Sequence, residues 1–329
     1  MHGVAGNEAG GSQIVAAIDA GTNSVHLLVV NAIAGQLRPV ADERIFVGLG
    51  SAIERGVLGS VRHELISAIA NLADMARALG ARRVAILGTE PLRRVADAME
   101  VADEVERRTG FALDVITHEE EGLLTLLGVT LGEPIEHDVL VADVGGGSSE
   151  LVLAGPGRLP VAIGIRLGSA RLIERHAEHD PPTKDEMAAM RRAADAALAG
   201  APAATVDELV VVGGTATNLL RVIPPEGDDR TLDASRIESV IERLTEEPSA
   251  AVAVRHGVHP ARARTLPAGA AILRALIDRY GVDRLTVSDA SLREGAVIAL
   301  ARAGGSWRTA LPALVRGPRA IGGAGPKGV

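Results

Sequence analysis

A repeated glycine-rich turn constrains the fold of this chain more than any other feature of its sequence. AAIDAGTNSVHLLVV near the N-terminus and VADVGGGSSELVLA in the middle follow one plan. In each, an apolar strand leads to an Asp, a Gly follows two residues later, a Ser follows five residues after the Asp, and a second apolar strand comes next. Asp19 and Asp143 are 124 residues apart, about one domain length. The repeat predicts two related α/β domains, with a ligand between them that meets a glycine turn from each side.

Both turns have the chemistry of a phosphate site. Glycines let consecutive backbone N–H groups converge on an anion, and Ser and Thr hydroxyls add hydrogen-bond donors. The Asp before each turn suits a divalent cation, because carboxylates, phosphate oxygens and waters form the usual Mg2+ shell. A plain hairpin whose Asp caps its own turn is the alternative interpretation. Two copies at domain spacing favour the phosphate site.

A third glycine turn, Gly213-Gly214-Thr215, follows the apolar strand ELVVV and precedes a helical pattern. A helix N-terminus behind a glycine turn can bind an anion through its backbone N–H groups and its dipole. The better-known nucleotide signatures are absent, because the sequence has no GxxxxGK[ST], and the GLG at Gly48–Gly50 does not continue as a dinucleotide motif.

Two charged clusters could act on a bound phosphate. Glu119, Glu120 and Glu121 begin a helical pattern in ITHEEEGLL. Carboxylates in a first helical turn stabilise the helix dipole, or one of them serves as general base for a water nucleophile. Arg93 and Arg94 follow GTEPL and either neutralise phosphate or lie solvated on a helix surface.

Length and composition fit a two-domain protein with an aliphatic core. The chain has 329 residues, 47% of them hydrophobic, and apolar strand-like runs alternate with helical patterns. We expect a disordered N-terminus over 1–12, domains over 13–124 and 125–303, and a flexible Gly- and Pro-rich tail over 304–329.

Composition also argues against several classes of function. The net charge of -8, with one Trp, one Tyr and two Phe, opposes nucleic-acid binding through a basic surface or stacked bases. The chain has no Cys, and we see neither a signal peptide nor an apolar run long enough for a membrane span. We therefore expect a cytoplasmic protein with no membrane partner, whose anion site is locally positive.

Taken together, the motifs resemble a known family. DAGTNS, GTEPLR, EEEG, DVGGGSSE, GGTATN and VSDASLREG occur in the order typical of the exopolyphosphatase / guanosine pentaphosphate phosphatase family, from about Ala16 to Ala301. That family belongs to the actin-like phosphotransferase superfamily. The resemblance implies an α/β fold of two tandem ribonuclease H-like domains that close over phosphates, in the short two-domain form.

The resemblance also implies a role for individual residues. Glu121 matches the carboxylate that activates the attacking water, and Arg93 matches an arginine along the phosphate path. Asp143 and Glu150 match the acidic positions associated with Mg2+ or another divalent cation. The residues that match phosphate- or nucleotide-binding turns are Gly21, Thr22, Asn23, Ser24, Gly145, Gly146, Gly147, Ser148, Gly213, Gly214 and Thr215.

The implied activity is release of terminal orthophosphate from inorganic polyphosphate, from guanosine pentaphosphate, or from both. Two positions depart from the family pattern. Leu123 stands where an Arg is common and Asp97 where an Asn is common, and both changes predict a site less favourable to a polyanion. A small-molecule kinase of the same superfamily and a non-catalytic guanosine tetra- or pentaphosphate sensor are alternatives, and a homodimer is left open.

Overall fold

The computed structural model describes residues 12–316, apart from 34–35, 50–51, 53–54, 225–226 and 228. The predicted disorder at residues 1–11 and the end of the predicted tail, 317–329, lie outside the described residues. The chain forms two mixed β-sheets. The first contains β1 (Gln13–Ala20), β2 (Ser24–Ile33), β3 (Gln36–Phe46), β4 (Arg83–Gly88) and β5 (Leu113–Val115), in the order β3-β2-β1-β4-β5.

Apolar side chains cover both faces of the first sheet. Along β1, Val15 and Ala17 face one hydrophobic cluster, while Ala16 and Ile18 face another, as the period of two in a strand requires. Helix α1 (Arg62–Ala78) packs on the second of these faces, and α2 (Glu90–Arg94) and α3 (Ala98–Thr109) follow β4. The strand ends on either side of the first glycine turn are thereby fixed.

The second sheet repeats the plan of the first. Its strands are β6 (Val139–Val144), β7 (Ser149–Ala154), β8 (Val161–Ile165), β9 (Glu208–Val212), β10 (Thr231–Asp233) and β11 (Arg284–Val287), in the order β10-β11-β9-β6-β7-β8. Strand β6 pairs with β7 in antiparallel fashion and with β9 in parallel fashion. Strand β1 pairs with β2 and β4 in the same two ways. The predicted tandem α/β domains are confirmed in this topology.

Helices enclose the second sheet and also lie between the two sheets. Helix α4 (His118–Val129) precedes the second sheet. The helices of the second domain are α5 (Ser169–His176), α6 (Lys184–Leu198), α7 (Gly214–Val222), α8 (Ala234–Glu246), α9 (Ser249–His256) and α10 (Pro260–Tyr280). Two further helices, α11 (Leu292–Ala303) and α12 (Trp307–Leu314), follow them. None of the described helices is both long and apolar enough to cross a membrane.

Helices α4 and α11 cross closely between the sheets. A Cβ added at Gly128 would lie 2.0 Å from the Ser291 carbonyl oxygen, and one at Gly295 would lie 1.8 Å from that of Leu124. Only glycine permits this approach. The cluster around the crossing takes apolar residues from both sheets, so the two helices join the domains through one core.

This crossing changes the predicted domain bounds. The expected boundary between residues 124 and 125 falls inside α4, and α11 packs against β1 and β2 of the first sheet. The expectation of a flexible tail from residue 304 is wrong for its first part. Residues Trp307–Leu314 are helical, and Trp307 and Leu311 are buried in the same core, because their apolar side chains outweigh the glycines before them.

Candidate active site

The first two glycine turns face each other across a cleft of about 400 Å3. A Cβ added at Gly146 would lie 3.2 Å from the Asn23 amide nitrogen and 3.7 Å from the Thr22 Cβ. Within each turn, the first glycine N–H donates to the carbonyl of the serine three residues later, over 3.1 Å from Gly21 and 3.0 Å from Gly145. The sequence repeat is therefore a repeat of turn geometry around one cavity.

Neighbouring backbone holds the second turn in place. The N–H groups of Ser169 and Ala170 each donate over 2.9 Å, to the carbonyl oxygens of Gly145 and Gly146. A Cβ added at Gly168 would lie 2.4 Å from the carbonyl of Gly146, so the start of α5 rests directly on the turn. The third turn enters the cleft at Gly213, whose φ of +89° favours glycine.

The predicted phosphate-binding residues line the cleft with one exception. The lining residues are Gly21, Thr22, Asn23, Ser24, Gly145, Gly146, Gly147, Ser148, Gly213 and Gly214, together with Glu121, Asp143 and Glu150. Thr215 is the exception, because its side chain is buried and its hydroxyl donates to the Val144 carbonyl over 3.1 Å. Thr217, two residues later in α7, lines the cleft instead.

The fold separates the roles of the three consecutive glutamates. Glu119 is exposed. Glu120 accepts from the Thr117 N–H while its own N–H donates to the Thr117 hydroxyl, which forms a capping box at the start of α4. Glu121 is buried and faces the cleft. The ambiguity of the sequence is resolved by the register of the helix.

Arg93 fixes Glu121 from behind. Its Nη1 donates to Glu121 Oε2 over 2.6 Å and to the Ile116 carbonyl over 2.9 Å. Its Nη2 lies 3.6 Å from Glu150 Oε1. Arg93 is not among the described residues that line the cleft. The structure places it beside the carboxylates, and its role along the phosphate path stays a prediction.

Glu150 lies at the centre of a second group of contacts. Its Oε1 accepts from the Ser148 hydroxyl over 2.9 Å and lies 2.7 Å from His118 Nδ1. Glu150 also pairs with Asp143 in the register of β6 and β7, so that both carboxylates leave the same face of the sheet. His118 belongs to the motif ITHEEEG, but nothing in the sequence alone distinguishes it as a site residue.

Burial raises the pKa of every acidic group in the cleft whose shift is resolved. It raises the pKa of Asp143 to about 6. It raises the pKa of Glu150 to about 8, with a further contribution from Asp143. Burial and then the nearby Glu150 raise the pKa of Glu121 well above its ordinary value, and Arg93 opposes that shift. Burial therefore disfavours the ionised form of these carboxylates, and a bound cation would stabilise that form.

Asp19 is the corresponding carboxylate of the first glycine turn. Burial raises the pKa of Asp19 to about 7, while Arg293 lowers it and Asp143 raises it. Its Oδ1 atom is buried and has no hydrogen-bond partner among the described residues. Buried carboxylates with an unpartnered oxygen fit a divalent cation. His118, Glu121 and Glu150 also have ligand atoms within 4.8 Å of one another, but there Arg93 already supplies positive charge.

Arginines supply positive charge elsewhere in the cleft. Arg262 lies beside the third turn, where a Cβ added at Gly214 would be 2.9 Å from its Cζ atom. Arg293 donates to Asp42 over 2.6 Å, and both arginines line the cleft with Arg44. Arg293 falls in the motif VSDASLREG, whereas nothing in PARARTLPAG distinguishes Arg262 from Arg264. The expected local positive charge thus comes largely from arginines that no sequence motif marks as site residues.

The two departures from the family pattern lie outside the cleft. Leu123 is buried in the core between the sheets. Asp97 accepts from the Leu58 N–H over 3.0 Å at the start of α3. Neither is among the described residues that line the cleft. Leu123 points into the core and Asp97 towards the Leu58 N–H, so neither contacts the cleft directly; their effect on polyanion binding stays a prediction.

The fold and the cleft define a protein of two actin-like domains that enclose a glycine-lined site. A model of the Ppx/GppA phosphatase family matches residues 28–303. The chain belongs to that family, as the motifs predicted. A crystal structure of the Aquifex aeolicus member of the Ppx/GppA family aligns with a TM-score of 0.78 and 28% identity, over 90% of this chain and 99% of the other. The predicted two-domain actin-like fold is thereby confirmed.

Similar proteins are named either exopolyphosphatase or guanosine-5'-triphosphate,3'-diphosphate pyrophosphatase. The protein named exopolyphosphatase 2 of Mycobacterium tuberculosis is 32% identical, over 87% of this chain and 98% of its own length. A guanosine-5'-triphosphate,3'-diphosphate pyrophosphatase of Aeromonas hydrophila is 24% identical, over 88% of this chain and 60% of its own length. This chain is thus similar in length to the first and shorter than the second.

Proposed function

We propose that the chain is a phosphohydrolase that releases terminal orthophosphate from inorganic polyphosphate, guanosine pentaphosphate, or both. The observation that carries this proposal is the buried Glu121, held by Arg93 at 2.6 Å and facing two opposed glycine turns. The names of the relatives support the substrate class.

The turns and the arginines would bind the terminal phosphate. Backbone N–H groups and the Ser24 hydroxyl offer hydrogen bonds to phosphate oxygens, and such donors stabilise charge that develops during transfer. Arg262 and Arg293 add positive charge at the same cleft. Because this framework is fixed by the strands and by α5, it is organised before the substrate binds.

Glu121 would accept a proton from the attacking water. A general base needs a fixed position and a proton affinity matched to its task. The Arg93 hydrogen bond fixes the carboxylate and lowers its pKa, against the effects of burial and of Glu150. These opposing effects keep the proton affinity of Glu121 high enough for it to act as a base.

A divalent cation such as Mg2+ would be held by Asp143 and Glu150, as the family resemblance implies, with Asp19 opposite. When bound, the cation would neutralise phosphate oxygens. Its support here is the set of raised carboxylate pKa values and the unpartnered Asp19 oxygen. We expect a chelator to abolish phosphate release and added Mg2+ to restore it.

The two alternatives make different predictions. A sensor would bind guanosine tetra- or pentaphosphate and release no phosphate. Leu123, the departure that suggests it, has its side chain in the core rather than the cleft. A kinase would need an acceptor molecule and would not release phosphate to water, so product analysis distinguishes the two enzymes.

The test is Mg2+-dependent phosphate release from short polyphosphate, long polyphosphate, guanosine pentaphosphate and ATP, compared side by side. We expect release from at least one of the first three, and a kcat about 10²–10⁴-fold lower for Glu121→Gln with substrate binding retained. Glu119→Gln is the matched control, because the same chemical change falls on an exposed neighbour. Wild-type turnover in Glu121→Gln would overturn the assignment of the base.

A further inference from the structure

Two arginines from opposite domains meet beside the second glycine turn. Arg94 Nη1 and Arg171 Nη2 donate to the same oxygen of Glu90, over 3.0 and 3.1 Å. Arg171 Nε also donates to the Gly147 carbonyl over 2.8 Å. Because Glu90 and Gly147 both line the cleft, these two arginines lie at its edge.

Two further arginines continue this group towards solvent. Arg175 follows Arg171 by four residues in α5, on the same side of the helix and about 6 Å further along its axis. Arg166 precedes Gly168, which packs on the second turn. The side chains of Arg166 and Arg175 are exposed, and neither forms an ion pair within the described part of the chain. We call Arg94, Arg166, Arg171 and Arg175 the arginine track.

The arginine track is locally positive in a protein with a net charge of -8. Arg94, Arg166 and Arg175 each lower the pKa of Arg171, after the larger effect of burial, so the four charges act on one another. Glu90 and Glu174 are acidic neighbours, and the four guanidinium groups outnumber them. Like charges held together at a surface favour a bound polyanion.

The position of the arginine track fits the part of a linear substrate that does not react. If the terminal phosphate lies between the glycine turns, the phosphates behind it must leave the cleft. In a long polyphosphate each of them carries negative charge, whereas guanosine pentaphosphate has only two phosphates between its terminal phosphate and the ribose, and its 3'-diphosphate branches from that ribose. We propose that the arginine track binds the phosphates behind the reacting end of a linear inorganic polyphosphate. This inference rests on the proposed function and adds to it a preference for long chains.

The experiment uses the double variant Arg166→Gln/Arg175→Gln, because both residues are exposed and neither touches Glu90. KM and kcat are measured for tripolyphosphate, for polyphosphate of hundreds of units, and for guanosine pentaphosphate. We expect KM for the long polymer to rise roughly tenfold through the loss of two exposed charge contacts, with the other two substrates and all kcat values unchanged. The rise should shrink at high salt.

Arg38→Gln/Arg82→Gln is the matched control. Both arginines are exposed and lie at the end of the first sheet away from the glycine turns, so this pair removes the same charge elsewhere. An unchanged KM for the long polymer in Arg166→Gln/Arg175→Gln would overturn the inference. An equal rise in KM in the control would assign the effect to net charge. An equal rise in KM for tripolyphosphate would assign it to the reacting end of the substrate. Either result would also overturn the inference.

Failure of the proposed function gives a different result. If the wild-type protein releases no phosphate from any substrate, calorimetric titration with the long polymer replaces kinetics. The arginine track then predicts that the same double variant binds the polymer roughly tenfold more weakly than the control does. Equal affinity of the two variants would contradict it.

Discussion

The two facing glycine turns share one backbone plan but differ in the residue that pairs with the aspartate. His26 pairs with Asp19 in the first hairpin, where Glu150 pairs with Asp143 in the second. Both residues contact the serine of their own turn, over 2.7 Å from His26 to Ser24 and 2.9 Å from Ser148 to Glu150. The difference determines where the serine proton goes.

In the first turn the serine proton stays available for the cleft. Arg44 Nε donates to His26 Nδ1 over 3.3 Å, so that nitrogen is the acceptor. Burial, followed by Arg44, lowers the pKa of His26 to about 2. The neutral ring then carries its proton on Nε2 and donates to Ser24. The Ser24 hydroxyl can donate its own proton to a ligand.

In the second turn the proton of the Ser148 hydroxyl is already donated to Glu150. Ser148 donates to a carboxylate, so its hydroxyl has no second proton to offer. We infer that the first turn contributes a side-chain donor to phosphate, while the second contributes acidic groups for a cation. The two hairpins of the repeat thus have different roles, and the residue opposite the aspartate, His26 or Glu150, accounts for the difference.

The largest expected effect comes from closing the gap between the turns. Gly146→Val places carbon atoms against Asn23 and Thr22, and we expect kcat/KM to fall by about 10³-fold or more as turn donors are displaced. The loss of stability should be small, because the added atoms enter the cleft. Gly200→Val is the matched control, since a Cβ there has nothing within 4 Å and Gly200 is not among the described residues that line the cleft. Equal kcat/KM for the two variants would contradict the proposal that both turns hold the phosphate.

Making the first turn resemble the second should have the next largest effect. His26→Glu would take the Ser24 proton and add a negative charge, and we expect kcat/KM to fall about 10²-fold. His26→Gln retains a donor for Ser24 and an acceptor for Arg44, so it should keep activity within a few-fold. Steady-state kinetics on one substrate measures both. Equal losses would show that the ring itself, rather than its hydrogen bonding, matters.

The two serines should differ in a smaller but measurable way. Ser24→Ala removes a donor to a charged ligand, and we expect kcat/KM to fall about tenfold or more. Ser148→Ala leaves Glu150 in contact with His118, and its effect should be severalfold smaller. A larger loss in Ser148→Ala would reverse the assignment of donor and acidic turns.

The smallest expected effect concerns stability and pH. Because the pKa of Asp19 is raised to about 7 by burial, its contribution to stability is complete below its ordinary pKa and is lost as pH rises through about 7. In the presence of a chelator, Asp19→Asn should therefore melt several degrees above wild type at pH 8, and the gain should shrink towards pH 4. A gain independent of pH would show that Asp19 does not titrate in this range.

The sequence predicts the duplicated fold well because the repeat is local. Asp, Gly and Ser at fixed spacing define each hairpin, and the strands on either side are apolar throughout. It predicts individual side chains less well when their roles depend on distant contacts. Thr215 and Thr217 are equivalent candidates in sequence, and only the packing of α7 on β6 directs the first to Val144. Glu90 lies in a motif, yet its meeting with Arg171 joins residues 81 positions apart.

The central claim is that water, activated by Glu121, attacks a phosphate held between the two turns. Turnover of polyphosphate or guanosine pentaphosphate in ¹⁸O-labelled water tests it most directly. We expect one solvent oxygen in each orthophosphate that the wild-type protein releases, and about 10²–10⁴-fold slower release by Glu121→Gln. Orthophosphate without solvent oxygen, or an equal rate in the two proteins, would contradict it.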